Sequence, residues 1–230
     1  MKKLMTWLLL LALLSLTSIS LAAGKATVTQ EAFYITPYYN GTFSGVVYGE
    51  ITNTGGRPVA IDSGIFEFFD ADGEAIGSGT IYSFYPEIIK EGEHAYFRVS
   101  ENIEKATRES DIDDYSITVV GKSTKDDEEN IIEATPSYRE YNDYKNTRKT
   151  ELSVIIKNNT DEMVMSPKVV WAVYDTDGKL VYITDDSAYG VGLMPGSEIM
   201  LTSSINSDVQ AIMNAAGVNI GEVVAIAWHK

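Results

Sequence analysis

The sequence predicts an all-β protein of two tandem immunoglobulin-like β-sandwich domains, each with one short helix before its last strand. Three observations carry this prediction. A motif recurs: Asn53 stands 17 positions before Asp70, and Asn158 stands 17 before Asp175, so the copies lie 105 residues apart. Apolar segments with strand periodicity are punctuated by turn signals every ten or so residues. Beyond the first 23 residues the chain has no long apolar stretch and no cysteine, which leaves a sheet-built core to hold it together.

The repeat extends past these markers. Both aspartates open an Asp-x-Asp-Gly run, Asp70-Ala71-Asp72-Gly73 and Asp175-Thr176-Asp177-Gly178. The same offset pairs Phe33 with Tyr138, Tyr39 with Tyr144 and Phe66 with Trp171. Glu91-Gly92 and Pro195-Gly196 pair at an offset of 104, a one-residue indel. Fixed-period self-similarity marks a duplicated unit. The expected division is residues 24–122 and 131–230, joined by a polar, charged linker at 123–130.

Residues 1–23 read as a secretory signal peptide. Lys2 and Lys3 precede an apolar run from Leu4 to Leu14, and small residues follow at Ser20, Ala22 and Ala23. Cleavage after Ala22 or Ala23 fits. Leu4 to Ala23 is 20 residues, long enough to span a bilayer if kept as an anchor, but Thr17, Ser18 and Ser20 favour removal. The expected location is secreted, extracellular or in the cell envelope, with no membrane contact after cleavage.

In the first unit, Val46, Val47, Tyr48 and Ile51 form a β-prone run that stops at Asn53-Thr54-Gly55-Gly56. Ile65 to Phe69 is the next strand, Glu74 to Thr80 follows its turn, and a loop runs through Pro86. Ala95, Phe97 and Val99 alternate with Tyr96 and Arg98, as in a half-buried strand, and Ile117, Val119 and Val120 close the unit. The second unit repeats this with Leu152 to Ile156, Val169 to Tyr174, Lys179 to Thr184, Ile199 to Ser203 and Val223 to Trp228. Its helix is predicted with Ser207 as N-cap, Val209, Ile212, Met213 and Ala216 at helical spacing, and a stop at Gly217. The first unit's weaker counterpart is expected at about Asn102 to Glu109.

Phe66-Glu67-Phe68-Phe69-Asp70 and Trp171-Ala172-Val173-Tyr174-Asp175 share the form aromatic-x-apolar-aromatic-Asp. With the upstream Asn-Thr or Asn-Asn and the downstream Asp-Gly, they resemble the FxLYD domain, over about Gly49 to Val99 and Val154 to Leu201. The first copy has Phe where the family name has Leu and Tyr, and the second begins with Trp and carries Val. The resemblance implies a small extracellular or envelope-associated β-sandwich of prokaryotic type, without established catalytic residues. Independently of it, Phe66 with Phe68, and Trp171 with Val173, share a strand face, and an aromatic there fills the space between two sheets.

The 230 residues carry 18 Lys+Arg against 33 Asp+Glu, a net charge of -15, which argues against a nucleic-acid partner. Without cysteine there is no disulfide, thiolate metal site or cysteine nucleophile. His94 and His229 are the only histidines, and no nucleophile-elbow or zinc-protease motif is present. No catalytic residue, cofactor or metal ligand is expected. Two other readings are a calcium-stabilised adhesion-type tandem and a polysaccharide hydrolase. The Asp-x-Asp-Gly runs place Gly at the fourth position and Ile81 and Asp186 at the twelfth, of which Ile81 cannot ligate, unlike a calcium loop, which needs Gly at six and Glu at twelve. They suit hairpin turns better. The chain's 14 Tyr point to a contact surface. The residues singled out for it are Tyr82, Phe84 and Tyr85 in one loop and Tyr189 in its counterpart, facing an unknown extracellular protein or glycan. Tyr34, Tyr38 and Tyr39 read as packing. Asn40 and Asn158 each open a glycosylation sequon.

Overall fold

The structure is a computed structural model describing residues 24–125 and 130–229. The expected signal peptide at 1–23 and the acidic stretch 126–129 lie outside the described residues. The first repeat comprises β1 (Ala26–Pro37), β2 (Phe43–Asn53), β3 (Val59–Phe69), β4 (Ala75–Ile81), β5 (Ile88–Ile89), β6 (His94–Ile103) and β7 (Asp114–Ser123). The second comprises β8 (Asn130–Asn142), β9 (Arg148–Lys157), β10 (Val164–Met165), β11 (Lys168–Asp175), β12 (Leu180–Ser187), β13 (Gly192–Leu193), β14 (Glu198–Ser204), α1 (Ser207–Ala215) and β15 (Ile220–His229). β7 ends at Ser123 and β8 starts at Asn130.

All pairings are antiparallel, and among the described residues each joins strands of the same repeat. One sheet of the first repeat runs β1-β2-β6, and the other centres β3 between β4 and β7. The second repeat reproduces both, as β8-β9-β14 and as β12-β11-β15. Residues 130–132 of β8 also pair with β15, so this strand links its two sheets. The fold is therefore an all-β pair of immunoglobulin-like sandwiches.

The shared motif lies inside. Phe66 is 4% exposed, while Phe68, Trp171 and Val173 are fully buried. The first core closes over glycines: a Cβ at Gly45 would lie 2.5 Å from the Phe68 ring, and one at Gly49 2.1 Å from the Phe97 ring. Only a residue without a side chain lets these rings lie on β2.

The duplicated asparagines organise the loop after the second strand of each repeat. The Asn53 amide donates to the Arg57 and Ile89 carbonyls at 2.7 and 3.0 Å, and the Asn158 amide to those of Glu162 and Leu193, both at 2.7 Å. Both side chains are buried, so the sequon at Asn158 is closed to a glycan. The two Asp-x-Asp-Gly runs are hairpin turns. Asp70 Oδ1 accepts from the Asp72 and Glu74 amides, and Asp175 Oδ1 from those of Asp177 and Lys179. Gly73 and Gly178 take φ of 78° and 76°.

Each repeat places a short helical element before its last strand. In the second it is α1, capped by Asn206 rather than by Ser207: Asn206 Oδ1 accepts from the Asp208 and Val209 amides. Gly217, at φ 69°, follows its end as expected. In the first it is a 3-10 turn at Glu109–Asp111, later than the expected Asn102 to Glu109. Asn102 and Ile103 still belong to β6. The Asp111 carboxylate then accepts from the Thr107 and Arg108 amides, a local bonding pattern that competes with an α-helix.

Candidate functional site

β2 is buried along both faces. Val47 and Ile51 face their own core, while Val46 and Tyr48 join the core of the second repeat, with Tyr96 of β6. The covering strand is β12, which crosses the first repeat's β1-β2-β6 sheet. Leu180 N donates to Gln30 Oε1 at 2.9 Å, and the Tyr34 hydroxyl donates to Val181 O at 2.8 Å, both on β1. Tyr182 packs edge-on against Tyr48 of β2, ring centroids 5.0 Å apart. Asp185 Oδ1 lies 3.0 Å from Arg98 Nε of β6. Beyond β6, Tyr85 packs on Trp228 at 5.7 Å.

A buried polar cluster lies within this contact. The Tyr174 hydroxyl donates to Glu50 Oε2 at 2.5 Å and lies 3.1 Å from that of Tyr96. Glu50, 5% exposed, also accepts from Thr29 Oγ1 and lies 3.0 Å from His94 Nδ1. Burial first, then the neighbouring Tyr96 and Glu50, hold the Tyr174 phenol well above its ordinary range. Burial pushes Tyr96 from 10.0 up to about 12, the Tyr174 bond opposing and the Glu50 charge adding. Burial and then the Asp175 charge likewise push Tyr34 up to about 12.

These shifts set an alkaline limit on docking. The unfolded chain releases the Tyr34 and Tyr96 protons near pH 10 and the docked protein near 12. Their contribution is therefore complete below pH 10 and is lost as pH rises from 10 to 12. Tyrosinate absorbance followed alongside small-angle scattering should show these late ionisations coinciding with expansion of the molecule. Full ionisation at constant size would refute the assignment.

Where the sheets of the two repeats diverge, they leave a groove of about 540 Å³. The first repeat contributes Thr36, Pro37, Tyr38, Ser44, Tyr48 and Arg98, and the second contributes Tyr182, Asn206, Asp208 and Val209. Tyr48 and Tyr182 are buried beneath it, while Tyr38 is 41% exposed and packs on Tyr39. Tyr182 is held in place because its hydroxyl donates to Ser204 O and accepts from Asn206 N. The lining combines the exposed Tyr38 ring, one guanidinium and one carboxylate with buried tyrosines, hydroxyls and the valines Val46, Val99 and Val209.

The residues singled out from sequence fall elsewhere. Tyr82 and Tyr189 are 88% and 90% exposed, but neither lines the groove. Phe84 is a correction: it is 4% exposed and packs on Phe97 in the first core, turned inward where neighbouring Tyr85 bridges Tyr96. Tyr85 instead lines a second cleft of about 310 Å³ with Lys168, Asp185, Asp186, Ser187 and Trp228. Of the tyrosines read as packing, Tyr34 is an interface residue, and Tyr38 and Tyr39 lie at the surface. Sequence reasoning missed the groove, although a signal was present. Val46, Val47, Tyr48 and Ile51 are apolar on both faces of one strand, which an exposed sheet face does not require. Among the described residues no three acidic or imidazole side chains converge as metal ligands.

The fold and the groove define a two-repeat β-sandwich protein whose concave site is made jointly by its repeats. No family model and no curated relative matches the chain. Among solved structures, red sea bream transglutaminase is similar at 13% identity and a TM-score of 0.24, over 77% of this chain and 27% of its own length. The chain thus spans about a quarter of that protein. The CBM22-1-CBM22-2 tandem domain of Paenibacillus barcinonensis Xyn10C is similar at 10% identity and a TM-score of 0.15, over 91% of this chain and 90% of its own. Scores this low add nothing to what the strands themselves show.

Proposed function

We propose that the chain is an exported, non-enzymatic binding protein of the secreted or envelope-associated FxLYD type, which holds an extracellular glycan in the groove between its repeats. The observation that carries this reading is the groove's construction. Its walls come from both repeats, and it joins tyrosine rings to fixed polar groups, the composition of a small-ligand site. Glycan is favoured over protein because the exposed Tyr38 ring shares the groove with the charged Arg98 and Asp208, over the largely buried hydroxyls of Thr36 and Ser44. One carboxylate, Asp208, lines it, whereas glycoside hydrolysis draws on two. The N-terminal segment supports export.

The test is a glycan array probed with purified residues 24–230, beside a pull-down from envelope extract. Binding to a defined set of glycans, lost in Tyr38→Ala and retained in Tyr82→Ala, is the expected result. Capture of a protein with no glycan bound, or binding abolished by Tyr82→Ala and unaffected by Tyr38→Ala, would overturn it.

A further inference from the structure

We infer that the groove selects a carboxylate-bearing sugar, a uronate, through Arg98; this rests on the reading of the groove as a glycan site. In a chain of net charge -15, Arg98 is, among the described residues, the one cationic side chain lining the groove. Its Nε lies 3.0 Å from Asp185 Oδ1 in an ion pair, and its side chain is 51% exposed. The terminal amino groups remain to donate. A planar guanidinium binds a carboxylate with two parallel hydrogen bonds.

The surroundings match the rest of a uronate. The exposed Tyr38 ring, just after β1, supplies aromatic surface for a pyranose. Asp208, at the opposite wall, accepts from hydroxyls and disfavours a second anion beside it, so one acidic group is taken at one place. Thr36 and Ser44, largely buried, lie in its floor. A peptide carboxylate would satisfy Arg98 equally, but a peptide also needs an open apolar pocket for an anchoring side chain, and the valines of this lining, Val46, Val99 and Val209, are buried. Asp185 is a positioning residue: it orients Arg98 from the second repeat, so the selectivity depends on docking.

The test compares oligogalacturonate and oligoguluronate with their methyl esters, in titration calorimetry with residues 24–230. The esters keep the ring and remove the charge. Acids should bind, esterification should weaken binding by about tenfold or more, and Arg98→Gln should cause the same loss on acids alone. Arg98→Lys should retain part of the affinity. Asp185→Asn should weaken acids without changing the affinity for neutral oligosaccharides. Equal binding of acids and esters, or an unchanged Arg98→Gln, would overturn the uronate inference and leave the groove reading standing. Binding of an oligoglutamate peptide as tight as that of the uronates would overturn the choice of sugar. Failure of acids, esters and neutral sugars alike would overturn both readings.

Discussion

Trp171→Ala is expected to destabilise the second repeat by about 3–5 kcal/mol, read as a lower urea midpoint. The ring is fully buried between the β12-β11-β15 sheet and its partner sheet. Its indole N–H has no hydrogen-bond partner among the described residues, so the loss is one of packing and burial. The cluster around Trp171 also contains Val46, Tyr48 and Tyr96 of the first repeat. The variant should therefore loosen docking as it loosens the second core. Phe66, in the other cluster, should mainly affect its own repeat when truncated. A cost within the ±0.5 kcal/mol or so typical of surface positions would show that Trp171 is not interior filling.

Tyr48→Asp is expected to separate the repeats while leaving each folded. Tyr48 is 4% exposed, on the outer face of β2, against Tyr182. A carboxylate there would be buried with an effective penalty of several kcal/mol unless the surfaces part. The first repeat's own core lies on the other face of β2, with Val47 and Ile51, and does not contact the new charge. Circular dichroism should change little, scattering should report a longer particle, and uronate binding should be lost. Loss of the β-sheet signal would instead mean that the repeats cannot fold apart.

Much of this architecture was legible because duplication writes its signal twice. The spacing of Asn53 and Asp70, matched by Asn158 and Asp175, marks a buried amide that ties a loop and a carboxylate that closes a hairpin. Both functions are local, so they survive in the sequence. The aromatic at Phe66 and Trp171 was legible for a similar reason, since strand periodicity assigns it a face. The interface was not legible in that way, because it is written once. Positions equivalent to Glu50, Tyr96 and Arg98 are Ile155, Met200 and Thr202, and those equivalent to Tyr174 and Tyr182 are Phe69 and Gly77. Comparing the repeats thus averages the docking residues away. Phe84 was misplaced because a loop has no period from which to read a face. The 3-10 turn was misplaced because Asp111 bonds its neighbours' amides, which helical spacing does not register.

The same divergence leaves the docking residues unrepeated on the outer sheet of the second repeat. Ile155 and Met200 are 43% and 64% exposed on the second repeat's β8-β9-β14 sheet, where the first repeat has a buried carboxylate and a buried tyrosine. The hydrogen bonds that join Gln30, Glu50 and Tyr34 to the second repeat have no equivalent set there.

Because the chain has no cysteine, the docked geometry can be measured cleanly. Tyr82 and Tyr144 are exposed, one in each repeat and both outside the interface. With spin labels at Tyr82→Cys and Tyr144→Cys, pulsed dipolar spectroscopy should give one narrow distance distribution, broadened by adding Tyr48→Asp. A distribution already as broad as a flexible linker allows, and unchanged by Tyr48→Asp, would contradict the docked pair and the groove it creates.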